Sequence, residues 1–304
     1  MRDDDAGRLV KLLDEPVQAH VPLSSYLTIR TGGLARLLLE ARSGCGVARA
    51  QKAACALGIP VLVIGNGSNM LVSDEGFDGL VIHFGSGFSD VSVDGCIVEA
   101  QAGALLPAVS KMVAEKGLSG LEFAVGIPGS LGGALVMNAG AFDSDMSGCV
   151  QSVTCLTKTG HIETLCGADL GYGYRTSRML RESMTVLSAR LRLAPGNRKD
   201  IKSRIDACQA VRRERQPLNL PSAGSFFKRP EGHYAGALIE QAGLKGMQVG
   251  GAAVSMLHAG FLVNMGDATS ADFINLMRLV QDKVYAAFSI RLEPEVRIVG
   301  YDIP

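Results

Sequence analysis

Apolar residues recur at helical spacing at Val47, Ala50, Ala54 and Leu57, and Gly58 followed by Pro60 ends that repeat. The β-branched run Val61-Leu62-Val63-Ile64 then predicts a buried strand, and Leu80-Val81-Ile82 a second. Together they describe a small βαβ-like unit. From Val91 to Val98 apolar and polar residues alternate about Asp94-Gly95, the signature of a hairpin. A helix is predicted from near Pro107 to Gly117, a second hairpin from Val153 to Leu165 turning at Thr159-Gly160, and a strand from Met184 to Leu193. Pro195-Gly196-Asn197 is the strongest boundary signal. Beyond it, Ile201, Ile205 and Cys208 share one face of a helix that ends before Pro217. Phe273, Met277, Val280 and Val284 form the stripe of a helix from Ser270 to Phe288, and Val296–Val299 predicts a closing strand. The pattern divides the chain into an α/β segment (1–85), an α+β segment with antiparallel character (86–195) and a last segment (198–304).

Two segments fit neither periodicity. Gly126-Ile127-Pro128-Gly129-Ser130-Leu131-Gly132-Gly133 continues through Asn138 and Gly140 to Ala141, glycine-rich yet almost free of charge. A flexible surface loop would be more polar. A regular helix or strand would lose roughly 0.5–1 kcal/mol at each glycine relative to alanine. A backbone that approaches a ligand closely and offers its amides fits the composition; a tightly turned core segment is the alternative. The second segment, Gly65-Asn66-Gly67-Ser68-Asn69, leaves the Val61–Ile64 run directly. Glycine and asparagine tolerate positive φ, so this loop can curl its amides around an anion. Neither segment has the Gly-Lys-Ser/Thr of a Walker loop or a GxGxxG opening a helix. Two such loops predict a diphosphate held between them.

The 304 residues carry zero formal net charge, 47% hydrophobic and 20% charged residues. This is the balance of a soluble enzyme, with no whole-chain electrostatic case for nucleic acid or an anionic membrane. The acidic start Met1-Arg2-Asp3-Asp4-Asp5 lacks signal-peptide order, and no apolar run is long enough to span a bilayer. Seven cysteines without a CxxC pair indicate neither a metal site nor a disulfide framework, and the expectation is a cytoplasmic protein. Residues 198–215 hold seven Arg/Lys against three acids. A solvated helix face and attraction for a substrate diphosphate both account for that imbalance.

Polar residues among small or aromatic ones mark Tyr174-Arg175-Thr176-Ser177, Gly224-Ser225-Phe226-Phe227-Lys228-Arg229-Pro230 and Leu292-Glu293-Pro294-Glu295-Val296-Arg297. With the glycine loops, with Thr28-Ile29-Arg30-Thr31-Gly32-Gly33, with Leu118-Ser119-Gly120-Leu121-Glu122-Phe123 and with Ser255-Met256-Leu257-His258-Ala259-Gly260-Phe261, they run in order through nearly the whole chain. In this the chain resembles the UDP-N-acetylenolpyruvoylglucosamine reductase family of bacterial cell-wall synthesis, in its shorter subclass without an inserted tyrosine loop.

The resemblance implies an α+β fold: a two-part FAD-binding domain of the vanillyl-alcohol-oxidase (PCMH) type (subdomains 1–85 and 86–195), then a smaller α/β substrate-binding domain (198–304). It implies FAD and NADPH as cofactors, no metal, and a small UDP-sugar enolpyruvyl ether as substrate. Ser225 would be the proton donor, with Arg175 and Glu295 flanking the enolpyruvyl group. Gly65–Asn69, Gly126–Ser130, Gly133, Asn138 and Gly140 would bind FAD non-covalently, and Arg215, Lys228 and Arg229 the substrate. The residue types suit the chemistry. An arginine grips a carboxylate through a planar fork and stabilises charge developing on it. A serine is a weak acid that needs a neighbouring cation, for which Lys228 and Arg175 are candidates. Arg229 stands where the family usually has Asn, Phe142 where Tyr is common and Thr31 where Ile is common. Two other readings are a flavoenzyme of the same fold acting on an alcohol or hydroxy acid, and a flavin-binding protein without catalysis.

Overall fold

The structure, a computed structural model, describes residue 1 and residues 3–302. The chain forms two compact units. The first comprises Met1–Ala19, Arg36–Asn66 and Asp78–Val211; the second comprises His20–Ala35, Gly67–Phe77 and Arg212–Pro304.

The first unit is built on a five-stranded antiparallel sheet, in the order Ile162–Cys166, Val150–Leu156, Thr185–Arg192, Ile97–Gln101 and Val91–Asp94. Both predicted hairpins are present. Val93 lies opposite Val98, Thr154 opposite Thr164, and Gly160 turns with φ 76°. Alternation sends Val153, Cys155, Val98 and Leu191 into the core. Leu106, Val109 and Val113 do the same from one face of the helix Leu106–Glu115. The helix Gly44–Ala56, capped by Ser43, buries Val47, Ala50 and Ala54 and leads into the strand Val61–Ile64. That strand runs parallel to Phe77–His83, with Leu62 opposite Val81. Burial of such side chains contributes roughly 1.5–3 kcal/mol each, so the segments with the clearest periodicity are also those that hold the unit together.

The Pro195–Asn197 boundary signal lies inside this unit. Ala194–Pro195 pairs with Leu118–Ser119, and the Gly196 N–H donates to Gly117 O at 2.8 Å. The helix Arg198–Arg215 then packs Ile201 and Ile205 on Val125, so compactness extends to Val211.

In the second unit a four-stranded antiparallel sheet runs Ser222–Ser225, Phe261–Asn264, Ala252–Val254, Gln248–Val249. The helix Ser270–Phe288 buries Phe273, Ile274, Leu276, Met277, Val280 and Val284. Its start carries a capping box between Thr269 and Asp272, and the Asp74 carboxylate accepts the Ser270 and Ala271 N–H groups at 2.8 and 3.0 Å. The closing strand, Arg297–Val299, pairs in parallel with Met70–Val72. Segments far apart in sequence are joined by side chains. Thr28 Oγ1 donates to Ser222 O at 2.6 Å, and Asn264 Nδ2 to Ile29 O at 3.1 Å.

Candidate active site

In the first unit the two glycine segments meet. A Cβ on Gly65 would collide with Ser130 Oγ, so only glycine permits the approach. Next to it, the Asn66 amide donates to Pro128 O at 2.5 Å. Pro128 sits at the centre of a tight turn closed by Gly129 N–H to Ile127 O at 2.8 Å, following the short helix Glu122–Gly126. Gly129 O accepts from Leu106 N–H, while Leu131 and Gly132 N–H donate to Ala104 and Ala102 O. The segment is therefore pinned on both sides. Ser130 is buried, with Oγ accepting weakly from Gly133 N–H at 3.4 Å, and Gly133 itself is exposed. Among the described residues the Asn66 and Ser130 backbone N–H groups donate to no protein acceptor. Pinned backbone, no room for side chains and uncommitted amides are what a dinucleotide diphosphate requires, so these residues fit FAD.

Arg175 also lies in this unit, at φ 52°, in a tight turn closed by Gly173 N–H to Thr176 O at 3.1 Å and Thr176 N–H to Gly173 O at 3.3 Å. Its Nη2 donates to Gly140 O at 3.0 Å, and its guanidinium lies 5.1 Å from the centre of the exposed Tyr174 ring. Asn138, expected as a cofactor ligand, is buried, and its amide is committed to the protein. Nδ2 donates to Gly173 O and Asp145 Oδ2, and Oδ1 accepts from Ser147 N–H. Gly140 likewise presents its carbonyl to Arg175.

In the second unit Ser225 and Glu295 are brought together by backbone. Ser225 ends its strand opposite Phe261 with its side chain exposed. The next residue, Phe226, is buried, stacks on Phe273 at 6.4 Å, and accepts the Glu295 N–H on its carbonyl at 2.9 Å. A bridge between Phe227 and Pro294, and Lys228 N–H to Glu293 O at 2.8 Å, continue the ribbon. Of the Gly65–Asn69 loop, Gly67, Ser68 and Asn69 belong here. Gly67, at φ 58°, has Tyr26 O where a Cβ would stand. Asn69 acts as a clamp: its Nδ2 donates to Glu295 O at 3.2 Å and its carbonyl accepts from Arg297 N–H at 3.0 Å.

The expected cations divide. The Lys228 ammonium pairs with Glu293 at 3.1 Å, an exposed pair worth about 0–1 kcal/mol. Arg229 stacks over Tyr234 at 3.9 Å. Arg215 is exposed at the end of its helix. Along that helix Lys202 pairs with Asp206, and Arg204 with Glu122 at 2.6 Å. Burial raises the Glu122 pKa, yet hydrogen bonds from Arg204, the Gly120 N–H and Ser119 leave it below the usual carboxylate range. Part of the basic imbalance thus has a structural use.

His258 was not anticipated. Its Nδ1 accepts from Gly260 N–H at 3.1 Å, and Gly260 O accepts from Phe226 N–H at 2.8 Å, so it holds the turn beside the Ser225 strand. Burial pushes its imidazole below the ordinary range. Among the described residues no His/Cys/Asp/Glu cluster suits a metal ion, and no helix is long and apolar enough to cross a membrane.

Comparison with known proteins adds independent findings. Residues 35–165 match the FAD binding domain family. Residues 216–299 match the family described as UDP-N-acetylenolpyruvoylglucosamine reductase, C-terminal domain. The UDP-N-acetylenolpyruvoylglucosamine reductase of Latilactobacillus sakei subsp. sakei (strain 23K) is 45% identical, covering 93% of this chain and 93% of its own length. The protein of that name from Agathobacter rectalis is 46% identical, covering 95% and 94%. Among solved structures, the UDP-N-acetylenolpyruvylglucosamine reductase from Thermus caldophilus aligns with TM-score 0.81 and 34% identity, over 94% of this chain and 99% of its own.

Proposed function

The chain belongs to the UDP-N-acetylenolpyruvoylglucosamine reductase family, and from that membership we propose that it reduces UDP-N-acetylglucosamine enolpyruvate with NADPH to UDP-N-acetylmuramate. This is a cytoplasmic step in peptidoglycan precursor synthesis. FAD, when bound, carries the reducing equivalents of NADPH to the enolpyruvyl alkene. The backbone of Gly65 and Asn66 and of Gly126 to Ser130, with Gly67, Ser68, Asn69, Gly133 and Gly140, holds it non-covalently. The segment 198–304 binds substrate, with Arg215, Lys228 and Arg229 reaching the sugar nucleotide.

Arg175 holds the enolpyruvyl carboxylate and stabilises negative charge developing there, as an enol ether requires before its double bond accepts hydride. Ser225 gives its hydroxyl proton to the alkene carbon that does not take up hydride. Glu295 hydrogen-bonds the same group. The observation that carries this reading is the pairing of the Ser225 strand with the Glu295 segment through Phe226 O, which brings together a proton donor and a carboxyl 70 residues apart in sequence.

The absorption spectrum of the purified protein tests it. A flavin spectrum should bleach with NADPH, recover on addition of UDP-N-acetylglucosamine enolpyruvate, and pass into the supernatant on acid precipitation. Bleaching without recovery would remove the substrate assignment. Colour retained in the pellet would mean covalent flavin.

A further inference from the structure

We propose that Asn138 is the positioning residue for Arg175 rather than a ligand of the cofactor; the proposal rests on the reading of Arg175 as the carboxylate clamp. Asn138 is 3% exposed and adopts φ 44°, a left-handed conformation that asparagine accepts more readily than most residues. Both donors of its amide are committed, to Gly173 O at 3.0 Å and to Asp145 Oδ2 at 3.1 Å, while Oδ1 accepts from Ser147 N–H at 3.0 Å. A buried amide so occupied has no donor left for a ligand.

Its partners form a clip. Gly173 opens the turn that carries Arg175, so the Asn138 amide fixes that turn by its first carbonyl. Two residues beyond Asn138, Gly140 O takes the Arg175 guanidinium at 3.0 Å. Backbone and head group of one arginine are thereby referred to the same stretch, from Asn138 to Gly140. The stretch is itself rigid. Gly140–Ala141 pairs with Ser144–Asp145 across Phe142 and Asp143, both left-handed at φ 53° and 57°, a two-residue hairpin turn. A Cβ on Gly140 would come within 2.6 Å of Asp145 Cβ and Ser144 O, so the two sides close without a side chain between them. Asp145 Oδ1 accepts from the Ser147 N–H at 3.0 Å and its hydroxyl at 2.5 Å, so the carboxylate that receives Asn138 is itself held. Arg175 depends on this support because its left-handed φ is unfavourable for an arginine in isolation. Losing the amide leaves the guanidinium its charge but not its placement, and misplacement by about 1 Å can lower a rate about 10²-fold.

Asn138→Gly is the informative variant, since glycine keeps the left-handed backbone easy and removes only the amide. The FAD-loaded enzyme should retain its flavin content and its rate of flavin reduction by NADPH to within about twofold. Reoxidation by UDP-N-acetylglucosamine enolpyruvate should slow by about 10- to 100-fold. Combined with Arg175→Ala, Asn138→Gly should add no further loss, because both act through one guanidinium. Multiplicative losses in the double variant, or loss of flavin in step with activity, would overturn the positioning role. So would normal reoxidation in Asn138→Gly beside a crippled Arg175→Ala. Normal reoxidation in Arg175→Ala itself would instead refute the clamp, and this proposal with it. If Asn138→Gly does not fold, Asn138→Asp answers by the same cycle. It preserves size and the Oδ1 acceptor but sets an oxygen against Gly173 O.

Discussion

Arg175 and the Ser225–Glu295 ribbon are held in opposite ways. In the first unit a strained turn is wired by side chains: the Asn138 amide, the Asp145 carboxylate and the Ser147 hydroxyl. In the second, the two segments are joined by backbone hydrogen bonds, with Phe226 stacked on Phe273 beneath them. Any residue but proline supplies both a backbone N–H and a C=O, so ribbon geometry survives replacement of the side chains it displays. A polar clip does not, because every member is a specific donor or acceptor whose loss leaves a buried partner unsatisfied. Side chains on the ribbon can therefore be altered without moving their neighbours, whereas the turn that carries Arg175 depends on the specific side chains that hold it.

The largest effect that follows is on Ser225. In Ser225→Ala the ribbon keeps its backbone, so the loss is chemical. Reoxidation should slow by about 10²–10⁴-fold with flavin reduction by NADPH unchanged. A stopped-flow trace with normal reoxidation would remove Ser225 from the mechanism, and a lowered thermal midpoint would show that the ribbon depends on its side chains after all. A smaller effect separates shape from charge at Glu295. Glu295→Gln should keep more activity than Glu295→Ala, and urea unfolding of both should stay within about 0.5 kcal/mol of the parent. A large stability loss in either would erase the contrast with Asn138.

The smallest expected effect is a pH dependence from His258. Burial lowers its pKa, with the Lys245 charge acting the same way and Glu240 opposing. The folded protein then binds that proton less well than the unfolded chain. The stability linked to His258 is present above its ordinary pKa of about 6.5 and is lost as pH falls toward the lowered folded value. Thermal midpoints between pH 8 and pH 5 should decline on the acid side, and His258→Gln should flatten that decline. An unchanged slope would place the titration elsewhere.

The long periodic elements were legible because their signals are local. Val47, Ala50 and Ala54 lie in the helix Gly44–Ala56, and Phe273 to Val284 in Ser270–Phe288. Both hairpins also stand where alternation put them. The sheet of the second unit was not legible. Its strands are two to four residues long, and Ala252–Val254 and Phe261–Asn264 are buried throughout, so neither shows alternation. The allegiance of residues 20–35 to residues 212–304 rests on contacts such as Thr28 with Ser222, which no window can reveal. At the site, the carbonyls that take the Asn69 and Asn138 amides, Glu295 O and Gly173 O, were not legible, because asparagine in a glycine-rich loop looks the same whatever its amide serves. In the basic run 198–215 the partner of Arg204 was hidden in the same way, since that carboxylate lies 82 positions earlier.

The parallel pairing of Arg297–Val299 with Met70–Val72 bears on the order in which the protein can be made. On a ribosome the earlier strand emerges more than two hundred residues before its partner is synthesised. Through most of translation Met70–Val72 is a short, apolar edge with no neighbour to hydrogen-bond, the kind of segment that seeds association between nascent chains. Its brevity limits that hazard, and the glycines at positions 67 and 76 discourage its extension. The second unit, which includes both strands, is therefore completed only after Arg297–Val299 has left the exit tunnel.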